Sequence, residues 1–181
     1  FIFSQYDIFT VFFMVLGLYF CVRGGLWKFA LSFGVAATFK YHALLFFLVL
    51  LVLREKKIRN LIKYAVAMAL PLMIEVLPNI GNIYFKRNVL GFGVLKFVQK
   101  PFTIGFFDGI NLVAVVAAFM LVWAYQKKAK DNRELFSWGI FLCVGMSFAI
   151  FGFSSWNPQW LLMLAPFLVL NIFMNENGNL L

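Results

Sequence analysis

Phe29 to Leu53, FALSFGVAATFKYHALLFFLVLLVL, is an apolar run interrupted only near its middle by Thr38-Phe39-Lys40-Tyr41-His42. How this run is read decides the fold. As a single crossing it leaves nine Lys and Arg on one side (the blocks 54 to 63 and 127 to 133) and six on the other (Arg23, Lys28, Lys86, Arg87, Lys96, Lys100). That asymmetry is weak for a rule that orients membrane helices by their flanking positive charge. As a hairpin reversing at Lys40-Tyr41-His42, the run collects the blocks 23 to 28, 54 to 63 and 127 to 133 on one side, eleven against four. The larger asymmetry favours reversal, with a single crossing as the alternative. Each half of the hairpin is ~16 to 20 Å long at 1.5 Å per residue, short of a ~30 Å hydrocarbon core. A cavity beside it, filled by lipid or substrate, is then expected.

The rest of the chain agrees with a membrane setting. Hydrophobic residues make up 64% of its 181 residues, aromatics 20% and charged residues 13%, whereas soluble globules are near half apolar and a quarter charged. The formal net charge of +9 does not point to nucleic acid, because the Lys and Arg lie almost wholly in short segments between apolar runs, as topology determinants do. Besides 29–53, the apolar runs are Ile8 to Val22, Tyr64 to Leu77, Gly109 to Tyr125, Trp138 to Phe153 and Leu161 to Phe173. The expected fold class is therefore all-α: a polytopic transmembrane bundle of about six or seven hydrophobic helices, one domain over residues 1–181. With no Met, charged leader or signal peptide at Phe1, the chain is expected to be a fragment of a longer multi-pass membrane protein. Cys21 and Cys143 lie inside apolar runs without metal or redox spacing and read as small buried hydrophobes.

Polar groups inside or at the ends of these runs are the candidate site. Lys40 is either a snorkelling cation or a phosphate ligand at membrane depth, where weak screening strengthens it. His42, beside Lys40, is a candidate substrate-binding residue, and as the only histidine it excludes a histidine metal site within this stretch. Asp7 stands where an N-terminal carboxylate gains from the helix macrodipole, and Glu75 reads as a helix-end residue meeting water. Two polar clusters, Ser4-Gln5-Tyr6-Asp7 and Ser154-Ser155-Trp156-Asn157-Pro158-Gln159-Trp160, fall on the same, non-cytoplasmic side in the hairpin topology. The tryptophans of the second suit the interfacial belt. Gln5, Asn157 and Gln159 carry amides that hydrocarbon cannot satisfy. The bland reading of the second cluster is a tight loop with interfacial anchors. No nucleotide-binding, metalloprotease or serine-hydrolase motif is present, and no cofactor or metal is expected.

The order Ser4-Gln5-Tyr6-Asp7, apolar helix, basic turn, Thr38-Phe39-Lys40-Tyr41, apolar run and Arg54 to Arg59 resembles bacterial polyprenyl-phosphate-sugar-dependent glycosyltransferases. These belong to the GT-C superfamily, which also holds the GPI mannosyltransferases. Asn157-Pro158-Gln159-Trp160 followed by Leu161, Leu164 and Pro166 matches a further family pattern. The resemblance implies transfer of a mannose-like hexose from a polyprenyl-phosphate sugar to an acceptor on the non-cytoplasmic face of a bacterial inner or plasma membrane. It implies that Lys40 holds the phosphate, and that Gln5, Asp7, Asn157 and Gln159 bind sugar or acceptor hydroxyls. The family's catalytic carboxylate is expected upstream of Phe1, so this stretch alone is expected to be inactive. Membrane lipids and the lipid-linked sugar are the expected partners. A polyprenyl-lipid transporter or flippase-like module and a scaffold without chemistry are the alternatives.

Overall fold

The computed structural model describes residues 7–87, 112–153 and 158–176, and every regular element among them is helical. In chain order these are α1 (Asp7–Arg23), α2 (Leu26–Phe39), α3 (Ala43–Arg54), α4 (Ile58–Val76), a 3-10 turn (Leu77–Asn79) and the short α5 (Ile83–Phe85). After 88–111 come α6 (Leu112–Gln126), α7 (Asn132–Phe153), a 3-10 helix (Pro158–Met163) and α8 (Ala165–Glu176). Two stretches, Ile58–Asn79 and Asn132–Phe153, are each 22 residues and apolar enough to cross a membrane by length and composition. Most of the remaining helices are apolar but shorter.

The run 29–53 reverses. Lys40 leaves α2 with an extended backbone (φ −147°, ψ 116°) and α3 begins at Ala43. From there α3 returns alongside α2, so that the Phe29 and Phe47 rings stack with centroids 5.0 Å apart. The Arg54 guanidinium comes back to the Gly24 turn that precedes α2.

Local chemistry explains the turns. Gly24, at φ +82°, takes a backbone conformation that costs an L-residue about 1–2 kcal/mol. Its N–H donates to the Cys21 carbonyl and that of Gly25 to Phe20, the paired bonds that close a helix end with glycine. At the next turn the Glu55 carboxylate accepts the N–H groups of Lys56 and Lys57, each at 2.9 Å, and the Asn60 amide at 2.8 Å. These bonds, the Lys57 amide foremost, hold the Glu55 carboxyl below its ordinary range. Lys56 then donates to the carbonyls of Val52 and Ala124, both at 2.6 Å, joining the ends of α3 and α6.

Helix α2 packs against α1 on one side and α4 on the other. The α2–α4 contact is close because position 34 has no Cβ: one built there would strike the Met68 carbonyl and lie 2.9 Å from the Pro71 ring. Small residues let helices approach in this way. Phe29, Phe33, Phe47, Leu50, Met14 and Cys143 are among the fully buried core residues. The outer surface is also apolar. Along α4, Ile58, Ile62, Val66, Leu70 and Ile74 form an exposed stripe, and Phe119, Phe148, Ile172 and Phe173 are exposed on other helices. Exposed apolar faces of this kind mark surfaces that meet a membrane or another protein.

The turns sort by charge. Arg54 meets the Gly24 turn, Lys56 reaches the end of α6, and Lys63 lies over the Trp27 ring. The blocks 23 to 28, 54 to 63 and 127 to 133 therefore share one end of the bundle. The α2–α3 tip, the start of α1 and the end of α4 lie at the other.

Candidate functional site

At the end away from the basic turns, the first residue of α1 meets the tip of the α2–α3 hairpin. Lys40 Nζ lies 2.9 Å from Asp7 Oδ1, with side chains 24% and 5% exposed respectively. Both positions suit the helices that carry them. Asp7 is in the first turn of α1, where the macrodipole is positive, and Lys40 is the C-cap of α2, where it is negative. The pair thus gains from two helix ends as well as from mutual attraction. A carboxylate this buried is retained where a partner compensates its lost hydration.

Three more groups line this end. Thr10, one turn after Asp7 on the same face, is fully buried, and its hydroxyl has no hydrogen-bond partner among the described residues. His42, the N-cap of α3, is buried within electrostatic reach of both Lys40 and Asp7. Tyr41 between them is half-buried and within electrostatic reach of Glu75, which is exposed on the last turn of α4. The tip is held from α2 by a 3.0 Å bond from the Lys40 N–H to the Ala36 carbonyl. Chemically, this end offers an oriented ammonium, a carboxylate, an imidazole, a phenol and a buried hydroxyl.

Of the six residues expected to bind substrate, Asp7, Lys40 and His42 are thus brought together. Gln5 and Asn157 lie outside the described residues, as do Ser4 and most of the Trp-Asn-Pro-Gln turn. Gln159 belongs to the 3-10 helix Pro158–Met163, which packs against α1. Lys40 is not a simple snorkelling cation, because its ammonium is held by a buried carboxylate. Asp7 is likewise more than a helix cap. Glu75 is the exposed helix-end residue expected. Cys21 and Cys143 are both buried, and the Cys21 thiol lies 3.9 Å from the Leu50 carbonyl.

Thr10 and Tyr41 were not singled out by sequence reasoning. Thr10 was accessible to it, as the one aliphatic hydroxyl in the run from Ile8 to Val22, three residues after Asp7. The pairing of Asp7 with Lys40 had a signal too: opposite charges in separate apolar runs tend to find each other. Among the described residues no group of three His, Cys, Asp or Glu side chains is placed to hold a metal ion. No family model, curated protein or solved structure matches the chain.

Proposed function

We propose that this chain is a multi-pass membrane segment of a polyprenyl-phosphate-sugar-dependent glycosyltransferase, with its basic turns cytoplasmic and the Asp7–Lys40 end on the opposite face. The membrane part of the reading is supported by the exposed apolar stripes on α4, α7 and α8 and by the gathering of basic blocks at one end. The single observation that supports the chemical part is the Asp7–Lys40 pair, 2.9 Å apart at the hairpin tip, with the lysine the more exposed partner.

In this reading Asp7 holds an ammonium at a fixed place where a lipid-linked phosphate arrives from the bilayer. As the bond between the sugar's anomeric carbon and the phosphate oxygen breaks, negative charge grows on the departing polyprenyl phosphate, and Lys40 stabilises it. A fixed cation in a weakly screened site lowers such a barrier. The acceptor hydroxyl attacks the anomeric carbon and loses its proton to a base. His42, Gln5, Asn157 and Gln159 are assigned to binding sugar or acceptor. The transferred group is a hexose of the mannose type.

The test is sugar transfer from a polyprenyl-phosphate donor in membranes carrying the complete protein, which also supplies the base, with Asp7→Leu/Lys40→Met as the decisive variant because it removes both charges together. Loss of transfer at unchanged folded amount is expected. Undiminished transfer overturns the assignment. A second reading, a scaffold in which the pair only staples α1 to the hairpin, is favoured by the short Asp7–Lys40 distance. It predicts no transfer even in the unaltered complete protein, whereas a loss of stability in each single variant is common to both readings.

A further inference from the structure

The basic end carries a recess that the proposed chemistry does not use. It is an open recess of about 580 Å³ around the α1–α2 turn, lined by Tyr19, Arg23, Trp27, Lys28 and Tyr64 among others. Its cations stand over aromatic rings. The Arg23 guanidinium is 5.7 Å from the Tyr19 centroid, Lys28 Nζ 5.6 Å from that of Phe20, and Lys63 Nζ 4.9 Å from that of Trp27 at the rim. No acidic side chain lines it, so its charge calls for an anion. A second, apolar recess of about 210 Å³ runs between α1, α7 and α8, past Val15, Leu18, Phe136 and Leu170. Tyr19 and Arg23 line both.

We propose that the two recesses form one site for an anionic phospholipid, with the phosphate headgroup among Arg23, Lys28 and Lys63 and an acyl chain in the groove beside α1. Charge selects the headgroup, and the continuity at Tyr19 and Arg23 selects a lipid over a soluble phosphate. Basic recesses at the cytoplasmic ends of membrane helices meet the leaflet that carries anionic lipid. Trp27 and Tyr64, whose rings meet edge to face at 5.7 Å, give the headgroup level an amphipathic wall. The site rests on the membrane-spanning reading above but not on the glycosyl-transfer chemistry.

The purified protein in phosphatidylcholine vesicles carrying graded phosphatidylglycerol tests this. Trp27 fluorescence, isolated by subtracting Trp27→Phe, is quenched by lipids with brominated acyl chains. Quenching by brominated phosphatidylglycerol is expected to exceed that by brominated phosphatidylcholine. Arg23→Gln and Lys28→Gln should each lower the preference about fivefold, while Lys127→Gln, at the same end but outside the recess, leaves it unchanged. Val15→Phe, which fills the groove, should weaken lipid quenching. Equal quenching by the two lipids overturns the proposal, as does an equal loss in Lys127→Gln. So does abolition of the preference by millimolar inorganic phosphate with Val15→Phe behaving as the parent, which assigns the recess to a soluble anion. Flotation with pure phosphatidylcholine vesicles reports membrane insertion separately, so failure of the lipid site and failure of the membrane reading are distinguishable.

Discussion

The Asp7–Lys40 pair reverses one expectation about Lys40. A lone lysine in hydrocarbon is better replaced by methionine, whose thioether is of similar length, so the sequence alone predicts that Lys40→Met spares the folded amount. With Asp7 buried against the ammonium, that single change strands a carboxylate. Lys40→Met and Asp7→Leu are each expected to cost about 3 kcal/mol, the range for breaking a buried pair. Asp7→Leu/Lys40→Met together should lie within about 1 kcal/mol of the parent, since replacing both partners by apolar side chains is often neutral. Denaturant titration of the four proteins measures the coupling, and strict additivity would refute the pair. Lys40, Asp7 and His42 were legible as candidates because ionisable groups are conspicuous in apolar runs. Their meeting was not, because partner choice depends on how the helices pack.

The helices and their breaks were largely legible: the boundaries of α1 and the C-terminal ends of α4 and α6 follow the apolar runs, and the interruption at Lys40 is a break, although α4 begins at Ile58, inside the basic block and ahead of the apolar run from Tyr64. What joins the elements was not. Gly34 carries no special backbone angle, and only its closeness to the Met68 carbonyl and Pro71 gives it a role. Gly34→Ala is expected to destabilise by about 1–3 kcal/mol, since a backbone carbonyl and a proline ring have little freedom to yield. Gly152→Ala, where a Cβ meets nothing within 4 Å, should be neutral or stabilising by up to about 1 kcal/mol through helix propensity. Thermal unfolding of the two variants checks the contrast. Lys56 is the corresponding case at a turn. In the sequence it is one cation in a basic block, yet it satisfies the carbonyls of Val52 and Ala124. Lys56→Met should cost about 1–3 kcal/mol by leaving these carbonyls unbonded, while the exposed neighbouring Lys57→Met stays within about 0.5 kcal/mol. Equal effects in the two would reduce Lys56 to one surface charge among several.

For the molecule as a whole, the division into a basic end and an end bearing Asp7 and Lys40 predicts orientation. Asn82 follows α4 on the far side from the basic turns, and Asn60 lies within the basic block. A single cysteine at Asn82 should react with an impermeant thiol reagent applied from outside, and one at Asn60 only after permeabilisation. The native Cys21 and Cys143 are buried and stay silent. Labelling of Asn60→Cys with protection of Asn82→Cys would invert the proposed topology. The sequence by itself determined that the chain is helical, strongly apolar and divided by basic turns, because composition, hydropathy and charge placement are sums over neighbouring residues. It also favoured the reversal at Lys40, through the charge count alone. Only the tertiary structure decided that Asp7 faces Lys40, that Gly34 admits α4, and that Lys56 reaches a carbonyl 68 residues away. Short-range polar contacts act over a few ångströms, and chain segments far apart in sequence come that close only once the helices have packed.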